Sequence, residues 1–84
     1  PIERPVIETA DSLYFLASRP TLDESIKLGT EDTVKFLMKK FDISFPDAYR
    51  LLSATCDVQI SEVVDDNVTI RIRVPKFDNR VRTL

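Results

Sequence analysis

Two runs of alternating branched aliphatics, DVQISEVV at 57–64 and VTIRIRV at 68–74, flank Asp65-Asp66-Asn67 and constrain the fold more than any other part of the chain. Apolar residues at a period of two mark a strand with one buried face, and two such runs around a short acid-and-amide turn read as an antiparallel hairpin. With those three turn residues as the loop, Val58 pairs with Val74, Ile60 with Ile72 and Val64 with Val68, all on one face. The other face receives Gln59, Ser61, Thr69, Arg71 and Arg73, with Val63 as its apolar member. A two-residue loop would set Ile60 against Arg73 and mix the faces along the whole ladder. The expected register has one conflict, because it sets Glu62 on the apolar face opposite Ile70. A carboxylate there is costly unless it is paired or protonated. Either a bulge at Glu62-Val63 swings it out, or it points into a polar pocket completed by residues from elsewhere.

Upstream, Val6 and Ile7 form a short extended stretch that Pro5 helps to start. Residues 12–17, SLYFLA, read as a second strand in which Leu13, Tyr14, Phe15 and Leu16 are apolar on both faces, which predicts burial on both sides. Arg19-Pro20 ends it. Thr21-Leu22-Asp23-Glu24 then reads as a capping box opening a long helix. Leu22, Ile26, Gly29, Thr33, Leu37 and Phe41 recur at spacings of three or four as the buried stripe, and Glu24, Lys27, Glu31 and Lys35 line the solvated side. Gly29 inside that stripe costs about 1 kcal/mol of helix propensity relative to alanine, which predicts the close approach of another backbone. Ser44-Phe45-Pro46-Asp47 caps a shorter helix to about residue 54, with Tyr49, Leu52 and Phe45 turned inward. The few residues around Asp42 make the two helices packed neighbours. The element order gives an α+β fold: an antiparallel or mixed sheet with a C-terminal β-hairpin and two helices packed on one face.

Eighty-four residues allow one domain with a thin core, burying a little over ~60% of the surface its unfolded chain exposes. A composition of 43% hydrophobic and 31% charged residues is that of a soluble globular protein. No apolar run approaches the ~20 residues of a membrane span, and residues 1–9 do not read as a signal peptide, so a cytoplasmic location is expected. The sequence contains no histidine, which removes Ser-His and Cys-His nucleophile pairs and imidazole-ligated zinc built from this chain alone. The single glycine excludes a glycine-rich phosphate loop. Cys56 is the only cysteine, so no disulfide forms within the chain. With no histidine or flanking base to activate it, Cys56 reads as a small buried apolar residue. The net charge of -2 hides an asymmetry: 13 acids stand against 7 bases through residue 70, then five bases against Asp78 in residues 71–84. The basic tail has no aromatic stacking platform other than Phe77, which argues against nucleic acid and for docking on an acidic surface of the same or a neighbouring chain.

Residues 48–76, AYRLLSATCDVQISEVVDDNVTIRIRVPK, run a short helix into two alternating strands and a closing Pro-Lys. Together with PVIET at 5–9, SLYFLA at 12–17 and LDESIKLGTEDTVKFL at 22–37, they resemble the C-terminal end of the acetamidase/formamidase family. The resemblance implies that residues 1–84 are a single C-terminal segment of an acetamidase/formamidase-like protein, part of a larger β-rich enzyme that hydrolyses short aliphatic amides to a carboxylate and ammonia. It implies as partners the upstream portion of the same enzyme or a companion subunit, in a homo-oligomer, with neither nucleic acid nor membrane. It also implies a divalent metal in the full enzyme, not ligated by this chain alone. Pro1 in place of Met fits a trimmed chain, a processed subunit or a fragment.

Asp57 matches the acid in the family's Ser-x-x-x-Asp stretch, here residues 53–57, and suits a loop ligand or an orienting carboxylate. An Asp at a helix-strand junction also serves as a turn or cap residue, and Ser53 carries the same two readings. Asp57 and Glu62 are the catalytic candidates and Ser53 and Lys76 the substrate-binding ones. Family members usually carry glutamine where this chain has Glu62, and commonly have Gly and His in the last strand, where this chain has neither. Lys76 suits an anionic product, or is a solvated strand end. Two other classes stand beside the amidase: a non-catalytic assembly or regulatory subunit with an amidase-tail fold, and a tautomerase using Pro1 as its base, whose opening strand Glu3-Arg4-Pro5 interrupts.

Overall fold

Six elements and one short turn follow in the order β1 (Val6–Glu8), β2 (Ser12–Arg19), α1 (Leu22–Phe41), α2 (Phe45–Thr55), β3 (Asp57–Val64), β4 (Asn67–Pro75) and a 3-10 turn (Asn79–Val81). They are drawn from a computed structural model that describes residues 6–64 and 66–83. The readings placed on Pro1, Pro5 and Asp65 lie outside the described residues. The strands form one antiparallel sheet in the order β1-β2-β4-β3. Helix α1 lies across β2 and β4, and α2 packs against α1, so the expected α+β architecture with both helices on one face is the one that forms.

Local signals start both helices. The Thr21 hydroxyl accepts from the Glu24 backbone N–H at 3.1 Å and donates to the Glu24 carboxylate at 2.9 Å. Ser44 caps α2 by accepting from the Asp47 N–H at 3.4 Å. Between the helices, Asp42 takes a left-handed conformation (φ 54°) and its N–H closes on the Met38 carbonyl, a helix-ending geometry that short polar side chains tolerate.

The core lies where α1 crosses the two central strands. Leu13, Phe15 and Ala17 of β2 stand opposite Val74, Ile72 and Ile70 of β4, and all six are buried. Val34, Phe36 and Leu37 of α1 close over them, with Phe36 tilted against Phe15 at 5.0 Å between ring centroids. The expected stripe holds at Gly29, Thr33 and Leu37, while Leu22 is exposed at its start. Gly29 meets side chains rather than the expected backbone: a β-carbon there would lie 2.8 Å from Ile70 Cδ1 and 3.2 Å from Ile72 Cδ1. Buried Ser25 ties the helix start to the sheet, accepting from the Arg19 N–H at 2.9 Å and donating to the Val68 carbonyl at 2.6 Å.

Three further expectations are corrected. The first is the hairpin register: Val58 stands opposite Ile72, Ile60 opposite Ile70 and Glu62 opposite Thr69, in place of the Val58–Val74, Ile60–Ile72 and Glu62–Ile70 pairs. The strands are joined across positions 65 and 66 only, with Asp66 left-handed (φ 63°). Such a short loop mixes the faces only if the ladder is unbroken. Here it shifts between Ile60 and Glu62, one residue before the anticipated bulge. Ser61 is the extra residue, and Val63, opposite Val68, therefore shares a face with Val58 and Ile60. The second is β2, whose apolar residues are fully buried on the helix side alone; Tyr14 and Leu16 on the other side are half-buried, because no second layer of described residues covers them. The third is α2, where Leu52 faces inward as expected but is joined by Ala48, while Phe45 and Tyr49 are exposed. The inward position falls at Ala48, one before the expected Tyr49, because it is Ala48 that packs in the core with Leu52 where α2 meets α1.

Candidate functional site

The side of the sheet away from the helices carries a polar network built by strand register. Asp57 opens β3 directly opposite Arg73 of β4. The Arg73 guanidinium donates to the Asp57 carboxylate through Nε at 3.1 Å, lies 3.0 Å from it through Nη2, and donates through Nη1 to the buried Ser12 Oγ of β2 at 3.0 Å. Two positions along β4, Arg71 donates through Nε to Gln59 Oε1 at 2.7 Å and lies over the Tyr14 ring at 5.1 Å. The sheet thus holds two guanidinium groups side by side, one closed by a carboxylate and one bounded by an amide and an aromatic face. Planar guanidinium groups suit carboxylate and other planar anions.

The four residues singled out from the sequence take separate positions and none hydrogen-bonds another in the contacts described. Asp57 is an ion-pair partner of Arg73, an orienting arrangement. Ser53, exposed on α2, donates back to the Tyr49 carbonyl at 3.0 Å, a local bond common to helical serines. Lys76 is buried rather than solvated: its side chain is 8% exposed and its Nζ lies 2.8 Å from the Glu8 carboxylate, fastening the end of β4 to β1. For Glu62 the backbone register is described and the side chain lies outside the described part of the structure. Arg71, Arg73, Ser12 and Tyr14 were not singled out as site residues. Their signal was the alternation that sets Arg71 and Arg73 on one face with Gln59, and the register decides which partner each arginine meets.

Cys56 sits at the α2–β3 junction, half-buried. Burial pushes its thiol above the ordinary value, against the lowering effect of the Thr55 hydroxyl, which fits an unreactive packing residue. Among the described residues no three His, Cys, Asp or Glu side chains gather as a cation site, so the ligand set that a divalent metal needs is not assembled by them. The basic tail docks on its own chain. Arg80 pairs with Asp78 at 2.9 Å and lies over the Phe41 ring at 4.2 Å, Phe41 stacks on Phe77 at 5.9 Å, and Val81 is fully buried. No helix among the described residues is long and apolar enough to cross a membrane.

No family model and no curated protein matches the chain. Solved structures do. A recombinant predicted acetamidase/formamidase from the thermophile Thermoanaerobacter tengcongensis is 32% identical, with a TM-score of 0.78 over 86% of this chain and 24% of its own. An acetamidase from Bacillus halodurans is 28% identical, with a TM-score of 0.78 over 84% of this chain and 24% of its own. The chain therefore spans about a quarter of the length of the structures it matches.

Proposed function

From a chain that resembles the acetamidase/formamidase family in fold as well as in sequence, we propose that residues 1–84 act as the C-terminal segment of an amidase hydrolysing short aliphatic amides, of the formamide and acetamide type, to a carboxylate and ammonia. The observation that carries this reading is the joint match of sequence and fold, 32% identity with a TM-score of 0.78 over 86% of the chain. Within such an enzyme the segment frames the site. Asp57, fixed by Arg73, orients neighbouring groups; Glu62 is the other carboxylate proposed to handle protons. Ser53 and Lys76 are proposed to contact substrate or product, Lys76 only where Glu8 gives way to another anion. A divalent metal, which would polarise the amide carbonyl and supply the attacking water, would take its ligands from the rest of the protein.

Ammonia release from formamide and acetamide, measured on the isolated 84-residue chain and on the full product of its gene, tests the reading. Turnover is expected from the full product alone. Turnover by the isolated chain would overturn the placement of the central machinery elsewhere. Silence from both would leave the second reading, an assembly or regulatory subunit that keeps an amidase-tail fold, which the buried core shared by β2, β4 and α1 supports.

A further inference from the structure

The helix-facing side of β3 is built as a buried surface and stands about half or more uncovered by the described residues. Val58 and Ile60 stand opposite Ile72 and Ile70, which are fully buried, yet are themselves 46% and 63% exposed; Val63, opposite the half-buried Val68, is 69% exposed. The irregularity at Ser61 is what brings Val63 to this side. In an unbroken ladder it would join Asp57 and Gln59 on the polar face. A bulge breaks the ladder and leaves a residue unpaired, and lining up three aliphatics brings no gain if they end in water. β3 is an edge strand that runs for eight residues with no lysine or proline.

No described segment of the chain is free to cover this face, since the tail is engaged around Phe41, Asp78 and Glu8. The structures that match this fold extend over about four times the matched length, this chain spanning 24% of each. Resting on the amidase reading above, we infer that the helix side of β3 seats an apolar surface supplied by the remaining polypeptide of the full gene product, laid over Val58, Ile60 and Val63. The bulge at Ser61 disfavours continuous edge-to-edge pairing, so the cover packs on the face and does not extend the sheet. A second copy joined through β3 edges would meet that irregularity in both strands.

Maleimide labelling of Ile60→Cys in a Cys56→Ala background tests this, with rates normalised to the urea-unfolded protein. The isolated 84-residue chain is expected to react nearly as fast as when unfolded, and the full gene product at least tenfold more slowly. Equal rates in the two proteins would overturn the assignment, as would a gene product no longer than this chain that is monomeric and reactive at residue 60. Protection of the isolated chain that grows with its concentration would give the face to a second copy and also overturn it. Val58→Cys reports on the same face should Ile60→Cys perturb folding. Protection without formamide or acetamide hydrolysis retires the amidase reading and keeps the docking surface; hydrolysis with residue 60 unprotected does the reverse.

Discussion

Strands β3 and β4 present branched aliphatics to the same side of one sheet, hydrogen-bonded as neighbours, and meet opposite fates. Ile70, Ile72 and Val74 of β4 are fully buried under α1, whereas Val58, Ile60 and Val63 of β3 are 46%, 63% and 69% exposed. The residue types do not distinguish the strands. Position relative to the helix does: α1 spans β2 and β4, and β3 lies one strand, roughly 5 Å, beyond. Alternation therefore tells which side of a strand is apolar, and the layer above decides whether that side is core or interface.

The sharpest way to break the comparison is to truncate one isoleucine on each strand. Ile72→Ala removes a fully buried side chain beneath α1 and is expected to cost about 2–5 kcal/mol in urea unfolding of the isolated chain. Ile60→Ala removes a side chain already 63% exposed and should cost less than about 1 kcal/mol. Equal losses would mean that β3 is packed as β4 is, and the contrast would fall. In the full gene product the cost at residue 60 should rise toward that at residue 72.

A smaller effect sharpens why β4 is covered so closely. Gly29 lets α1 settle onto Ile70 and Ile72, and alanine there would gain about 1 kcal/mol of helix propensity while pressing its β-carbon to 2.8 Å from Ile70 Cδ1. Both isoleucines are fully buried and have little room to yield, so overpacking of about 1–3 kcal/mol outweighs the gain. Gly29→Ala should lose about 1 kcal/mol net. Adding Ile70→Val, which deletes the offending methyl, should make the double variant less destabilised than the sum of the two singles. Simple additivity would show that the helix is not held at this distance by those methyls.

The helices and strands were legible because their signals are local. The Thr21–Glu24 cap, the solvated line of Glu24, Lys27, Glu31 and Lys35, and the alternation of β4 each need only neighbouring residues. What was illegible depends on a choice between near-equivalent arrangements. A three-residue loop with an even ladder and a two-residue loop with a bulge at Ser61 both gather Val58 and Ile60 on one face; Val63 was the residue that told them apart, since only the bulge takes it off the polar face. In α2, stripes through Ala48 and Leu52 or through Phe45, Tyr49 and Leu52 are one position apart, and the tertiary contact with α1 selects the first. The candidate site followed the register. Asp57 stood out as a junction acid, but Arg73 as its partner appears only once the strands are aligned. Lys76 looked like a solvated strand end because its partner, Glu8, lies far away in sequence.

The weakest contact in the comparison lies at the end of β4, where the tail folds back on α1. Asp78 is held at about 2, first by the Arg80 guanidinium and then by the Arg80 backbone N–H, against an ordinary value of 3.8. A depressed carboxyl favours the folded state at pH values above its ordinary titration and loses that contribution as pH falls through about 2. Acidification from pH 4 to 2 should therefore release Arg80 from Asp78, and with it the geometry that sets the guanidinium over Phe41, while the core under α1, which has no buried carboxylate among its described residues, stays closed. The carboxyl carbon shift of Asp78 followed by NMR should titrate near 2, and Arg80→Ala should move it toward the ordinary value without reaching it, because the residue-80 N–H still donates to that carboxylate. The pair is open to solvent, so the change in overall stability should be slight; the informative readout is amide exchange at Val81, whose N–H bonds the Asp78 carbonyl at 3.1 Å. Exchange there that accelerates below pH 4 beyond the intrinsic trend, with Ile72 unchanged, marks the tail as the first part to open. Simultaneous loss of protection at both residues would instead make tail and core one cooperative unit.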